Sequence, residues 1–249
     1  MTSPESREPT VFAIAGQTAT GKTRLGEGIM SRLHEQGYHA CMLSVGDMFR
    51  LLTMHTAIQH DPKAMEEAVK QTLLLTEPLV NKETGRIHLH FKGESFKQTY
   101  DNGNSSASLT SNPAVIYHVN HFIETRITGI GTDHDFVGLD GRERRNAHIL
   151  FRTFSDDPAT RVAIRRMDQP ADCCVRTDEE IYRDIAARDV HERPFVRSLL
   201  LDDVNVVHID RKQGTPEADT MLVAYASTVL VSFREGKLPS NFGTLAVRI

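Results

Sequence analysis

The 249-residue chain contains no tryptophan, and its aromatic residues make up only 6 % of the total. So few rings exclude a single-strand nucleic-acid surface built from stacked aromatics. Cysteine is scarce as well. Cys41, Cys173 and Cys174 are odd in number, lack zinc-ligand spacing and include an adjacent pair badly placed to close a loop. That usage points to a reducing, cytoplasmic compartment. No apolar run has the length of a bilayer span, and the opening MTSPESREPT lacks the apolar stretch of a signal peptide, so the expectation is no membrane partner. An excess of one charge is also missing: 29 basic and 33 acidic residues give a net charge of -4, with no broad cationic face for nucleic acid. What is present, 39 % apolar and 25 % charged residues, is a globular composition in a chain long enough to bury a sizeable core.

Residues 1–10 carry Pro4, Pro9 and several charges and read as a flexible leader. The run Val11 to Ala15 reads as a buried parallel strand, followed by a glycine-rich turn and by Leu25, Ile29, Met30 and Leu33 at helical spacing up to Gly37. His39 to Leu43 is a second short strand, with a helix through Met48, Leu51, Leu52 and Met54. Beyond it, a helix over Pro62 to Leu75, an alternating strand Arg86 to Lys92 and a loop Asp101 to Asn112 make residues 60–112 an expected insertion. The stripe Val115, Ile116, Val119, Phe122, Ile123 and Ile127 predicts a helix from Pro113. Short apolar runs at 136–140, 148–151 and 204–209 predict further buried strands, and 217–233 a last helix. The alternation predicts one α/β domain over 11–233, a doubly wound parallel sheet of five strands with ligands at the strands' carboxyl ends. Residues 234–249 form a tail of unassigned role.

The pattern G-x-x-x-x-G-K-[ST] is matched in full from Gly16 to Thr23, and average residue frequencies produce it by accident in roughly one chain in a hundred of this length. It also stands between a predicted strand and a predicted helix, where glycines let backbone N–H groups converge on phosphate at a positive helix end. Gly16, Thr18, Ala19, Thr20, Gly21, Lys22 and Thr23 are therefore candidate ATP-binding residues. Lys22 is placed to reach the β- and γ-phosphates and Thr23 to bind Mg²⁺ through its hydroxyl. Asp140 closes a predicted strand and reads equally as a carboxylate near that metal or as a turn aspartate before Gly141. Asp140-Gly141-Arg142-Glu143-Arg144-Arg145 sets three guanidinium groups at the sheet's carboxyl edge, where arginine clamps phosphate; such a run alone is also a solvated turn. A second basic region comprises Arg161, Arg165 and Arg166, then Arg183, Arg188 and Arg193. Beside a phosphate loop it reads as a lid over about 165–195, and without one as a salt-bridged helix.

Four segments together resemble the bacterial-type cytidylate kinases, a branch of the nucleoside monophosphate kinases. Besides the glycine loop they are Ser44-Val45-Gly46-Asp47-Met48-Phe49-Arg50, Asp140-Gly141-Arg142-Glu143, and Arg165-Arg166 followed by Arg188-Asp189-Val190-His191-Glu192-Arg193, in family order over about residues 11–209. The resemblance implies that Arg50 and Arg142 hold an acceptor monophosphate, that Asp140 and Glu143 belong to the acceptor site, and that Arg188 and Glu192 approach its sugar. Lys22, Arg142, Arg188 and Arg193 would be catalytic. The sequence departs from the family at Val45, Glu143 and Phe195, and Asp101 stands where the inserted hairpin has arginine; each changes hydrogen bonding or charge around the base. The implied activity is ATP- and Mg²⁺-dependent phosphorylation of a nucleoside monophosphate, CMP or dCMP first, with oligomeric state open. Two rivals are a P-loop kinase for another nucleotide or phosphorylated metabolite, and a nucleotide-binding module that transfers nothing.

Overall fold

In the computed structural model of the chain, residues 8–56, 62–95, 109, 112–130, 133–141, 147–198 and 205–249 are described. They fall into two compact units, one within Cys41–Val137 and one formed by Thr10–Ala40 with Gly138–Ile249.

The second unit begins with strand β1, Thr10–Gly16, whose seven residues are all buried. Helix α1, Lys22–Glu35, turns Leu25, Ile29, Met30 and Leu33 inward. The unit also contains most of β6 (Phe136–Asp140), β7 (Ile149–Phe154), β8 (Asn205–Asp210) and β9 (Thr244–Arg248). Strand order is β6-β1-β7-β8-β9, and β1, β7, β8 and β9 pair in parallel. Phe12 and Phe151 meet edge to face at 6.3 Å between ring centroids in the core between these strands. Three longer helices and the four-residue helix Pro170–Cys173 complete the unit, the longer ones being α5 (Pro158–Asp168), α6 (Asp178–Ser198) and α7 (Pro216–Arg234), numbered after those of the first unit. Asp157 caps α5 by accepting hydrogen bonds from the backbone N–H groups of Ala159 and Thr160, and Pro158 stands at the first helical position where no N–H is missed.

The first unit contains most of β2 (Ala40–Ser44), then α2 (Val45–His55), α3 (Pro62–Leu74), the hairpin β3 (Thr76–Val80) and β4 (Arg86–Phe91), the two-residue β5 (Glu94–Ser95), and α4 (Pro113–Phe122). Strand β4 pairs in parallel with β2 and antiparallel with β3 and β5. Asn112 caps α4 through its side chain, and the helix continues as a π-turn, Ile123–Ile127. Val115, Val119, Phe122, Ile123 and Ile127 of the expected stripe are buried; Ile116 is half-buried.

The α/β class and the mostly parallel sheet agree with the expectation, but the expected five strands do not, since nine are described. Two of the additional strands have clear reasons. Thr76–Val80 contains Pro78, which weakens a strand signal, yet among the described residues β3 pairs on one side only, with β4, where a proline is tolerated. The unassigned tail supplies β9, whose half-exposed alternating residues bury too little apolar surface to announce a strand. The expected loop Asp101 to Asn112 lies outside the described residues apart from Leu109 and Asn112, and residues 1–7 of the expected leader lie outside them too. Among the described residues no helix is long and apolar enough to cross a membrane. All three cysteines are free thiols, and burial pushes that of Cys41 up to about 12.

Candidate nucleotide-phosphate site

The segment from Gly16 to Thr23 leaves the carboxyl end of β1 and enters α1. Gly21 precedes the helix in a left-handed conformation, with φ 75°, and no side chain caps it. The first helical N–H groups have no intrahelical acceptor, and no acidic residue stands in the first turn, so the helix presents an open positive end. Ala19 is also left-handed, with φ 56°, a conformation that costs a non-glycine residue about 1–2 kcal/mol.

Side chains from all around the unit grip the loop. Thr20 Oγ1 donates to Gln17 O at 2.8 Å and lies 2.7 Å from Thr153 Oγ1 on β7. Gln17 returns the connection, accepting through Oε1 from the N–H of Ser155 at 3.0 Å. Two buried guanidinium groups take loop carbonyls: Arg161 donates to Thr18 O from Nε at 3.1 Å and from Nη2 at 2.7 Å, and Arg211 reaches Thr20 O at 3.4 Å. A planar trans peptide points its N–H opposite to its C=O. Holding the Thr18 and Thr20 carbonyls on the arginine side therefore turns the N–H groups of Ala19 and Gly21 the other way.

Lys22 folds back over the loop, its Nζ donating to Gly16 O at 3.1 Å and Gln17 O at 2.6 Å. Thr23 Oγ1 donates to Asp140 Oδ2 at 3.1 Å, joining the first turn of α1 to the last residue of β6. Among the described residues no three His, Cys, Asp or Glu side chains could hold a metal ion together. Thr23 and Asp140 nevertheless bring two hard oxygen donors to one point, which fits a magnesium ion that takes few protein ligands and keeps substrate phosphate and water oxygens.

Arg211 leads into an ionic network behind the loop. It pairs with Asp219 of α7, which also receives Arg24 Nε at 2.7 Å, and Arg24 stands 3.7 Å from Asp168 at the end of α5. Burial, opposed by Arg24 and reinforced by Asp219, raises the Asp168 carboxyl from 3.8 to about 6. A carboxyl that binds its proton more tightly in the folded state adds stability at low pH, and that stability is lost as pH rises. The contribution should decline between about pH 4 and pH 6, and Asp168→Asn should flatten that part of the stability profile, as measured by urea denaturation at a series of pH values. A variant profile with the wild-type slope in this window would refute the assignment.

The basic region divides. Arg183 pairs with Glu179 at 2.9 Å on the exposed face of α6, as a salt-bridged helix would have it. Arg161 and Arg165 are buried. Arg188 lies 3.6 Å from Asp184, which also stands 3.7 Å from Arg176 and 3.9 Å from Arg165. Glu192 and Arg193 fall within α6, but their side chains are outside the described residues, as are Arg142 and Glu143 altogether. In the first unit, Arg50 Nη1 donates to Asp47 Oδ1 at 2.7 Å, and Arg86 Nη2 approaches Asp47 Oδ2 at 3.6 Å. The sequence reading passed over Asp47 and Arg86, and also Arg211, Asp219 and Thr153. Only Asp47 had a local signal, its spacing of three from Arg50 on a predicted helix.

The strand, loop and helix from Thr10 to Glu35, the Thr23–Asp140 bond and the parallel sheet define an α/β fold of the P-loop NTPase type. No protein-family model matches the chain, and no curated protein matches it in sequence. Among solved structures, it is similar to cobyrinic acid a,c-diamide synthase from Mycobacterium smegmatis with bound ADP and magnesium, at 14 % identity over 92 % of this chain and 97 % of that one, TM-score 0.45. It is also similar to the septum site-determining protein MinD from Pyrococcus horikoshii OT3 complexed with Mg-ADP, at 10 % identity over 86 % and 77 %, TM-score 0.36. A possible uridine kinase from Bacillus stearothermophilus matches at 14 % identity over 98 % and 91 %, TM-score 0.26. The chain's own loop and sheet carry this fold class.

Proposed function

We propose that this chain is a P-loop phosphotransferase that moves the γ-phosphoryl group of ATP to a nucleoside monophosphate, CMP or dCMP being the first candidates. The observation that carries the reading is the convergence of Lys22, Thr23 and Asp140 on a loop whose N–H groups are turned to one side. Lys22 exchanges its loop carbonyls for the β- and γ-phosphates. Thr23 and Asp140 would hold Mg²⁺, which supplies charge neutralisation of the triphosphate. Arg50 and Arg142 take the acceptor phosphate, with Asp140 and Glu143 in the same site, and Arg50 gives up Asp47 to do so. Arg188 and Glu192 take the sugar, and Arg188 with Arg193 supplies charge to the phosphoryl group in transit. A phosphate oxygen is already a competent nucleophile, so positioning and electrostatics supply the catalysis and no protein base is required.

The departures at Val45, Glu143, Phe195 and Asp101 bear on the acceptor's base rather than on transfer itself. An ADP-release assay across CMP, dCMP, UMP, AMP, GMP and dTMP tests this directly. CMP or dCMP should give the highest kcat/KM. Turnover confined to a purine nucleotide would reject the cytosine assignment, and ATP binding that no monophosphate accelerates would reject the phosphotransferase in favour of a binding module.

A further inference from the structure

The left-handed Ala19 is the point of interest, because something must keep a non-glycine residue in a backbone conformation it disfavours. Its methyl group is buried in a cluster with Val162 of α5, Cys173 of the short helix Pro170–Cys173, and Ile181 and Ile185 of α6. On the preceding residue, Thr18 O is held by two N–H groups of Arg161. The third arm of that guanidinium, Nη1, meets Asp189 Oδ2 of α6 at 2.7 Å. Arg161 is 5 % exposed, and the other Asp189 oxygen is buried without a partner among the described residues. Thus α6 shares a buried apolar cluster with Ala19 and reaches Thr18 through an Asp–Arg–carbonyl chain, so that both bear on the one peptide that joins those residues.

We infer that Arg161 and Asp189 are positioning residues of the donor site: α6 holds the Thr18–Ala19 peptide in the orientation that aims the Ala19 N–H at phosphate. This rests on the reading of Gly16 to Thr23 as an ATP site. Asp189 lies beside Arg188 and one turn before Glu192, the two residues proposed for the acceptor sugar.

The glycine substitution gives the test its discrimination, since glycine adopts φ > 0 about as readily as φ < 0 and so lacks the strain that the clamp must offset at alanine. ATP affinity is measured by calorimetry on the full chain for wild type, Asp189→Asn, Arg161→Gln, and Asp189→Asn combined with Ala19→Gly. Glu179→Gln, at the exposed surface of the same helix, is the comparison variant. Asp189→Asn and Arg161→Gln should each weaken ATP binding roughly ten-fold, the population cost of an unsupported left-handed residue, while circular dichroism stays that of wild type. Ala19→Gly should restore most of the loss in Asp189→Asn, and Glu179→Gln should bind as wild type. If Asp189→Asn binds ATP as tightly as wild type, the clamp is refuted while the ATP site stands. A loss that Ala19→Gly fails to restore assigns Asp189 a general structural role and also overturns the inference. Wild-type protein that binds no ATP would overturn the reading of the loop, and the inference with it.

Discussion

Replacing Lys22 by alanine should lower phosphoryl transfer by about a thousand-fold or more while leaving the fold in place. The two consequences separate because the lysine does different things in the two states. Without nucleotide its ammonium donates to Gly16 O and Gln17 O in a partly exposed position, where a hydrogen bond contributes only about 1 kcal/mol net. With a triphosphate in the loop its ammonium moves to the β- and γ-phosphates, and in the alanine variant Mg²⁺ and the arginines proposed for the transferring phosphoryl group must neutralise the transition-state charge without it. Thr20, Gln17, Arg161 and Arg211 continue to hold the loop, so the unfolding midpoint should shift little. Initial rates of ADP release with the best acceptor of the panel, alongside thermal denaturation, decide the matter. A Lys22→Ala enzyme whose kcat stays within about threefold of wild type would sink the assignment of this loop to catalysis.

Gly16→Ala should be the most damaging single substitution in the loop for stability. Gly16 has φ 146°, and it pairs in register with Thr153 across β1 and β7. A β-carbon there would lie 1.9 Å from Thr153 O and 2.5 Å from Thr153 Oγ1. The first of these is backbone inside a buried parallel ladder and cannot swing aside as a side chain would. Relief requires the ends of β1 and β7 to part, which also loosens the Gln17 N–H bond to Thr153 O and the contact between Thr20 and Thr153. Overlap, backbone strain and lost hydrogen bonds together should cost about 3 kcal/mol or more. Urea denaturation measures the loss, and an ATP titration at low denaturant should find binding abolished. An alanine variant with the wild-type midpoint would show that the close approach of Gly16 to β7 is not a constraint on this fold.

The contrast between these two residues marks how far the chain could be read without coordinates. Gly16, Gly21, Lys22 and Thr23 were legible because a phosphate loop is a local device: its spacing, the strand before it and the helix after it all lie within 26 contiguous residues, Thr10–Glu35. Buried strands and amphipathic helices were legible for the same reason, since periodicities of two and 3.6 residues are properties of neighbours in sequence. The hairpin strand β3 and the tail strand β9 were not, because proline and exposed polar residues are tolerated only where a sheet has an open side or edge, and that is a property of the finished sheet.

The partners of the loop were decided by tertiary structure alone. Arg161, Arg211 and Thr153 lie more than 130 residues from the carbonyls or hydroxyl they meet. The pair Arg161–Asp189 looked in sequence like two more members of a charged helical region, indistinguishable from the exposed pair Arg183–Glu179. What separates them is burial. A guanidinium taken out of water must have its N–H groups satisfied, so once α5 and α6 close over it, Arg161 is committed to Thr18 O and Asp189, whereas Arg183 at the surface is free to exchange its partner for water. The sequence by itself determined a loop of the phosphate-binding pattern between a strand and a helix; the packing of α5, α6 and α7 around that loop decided which charges hold it.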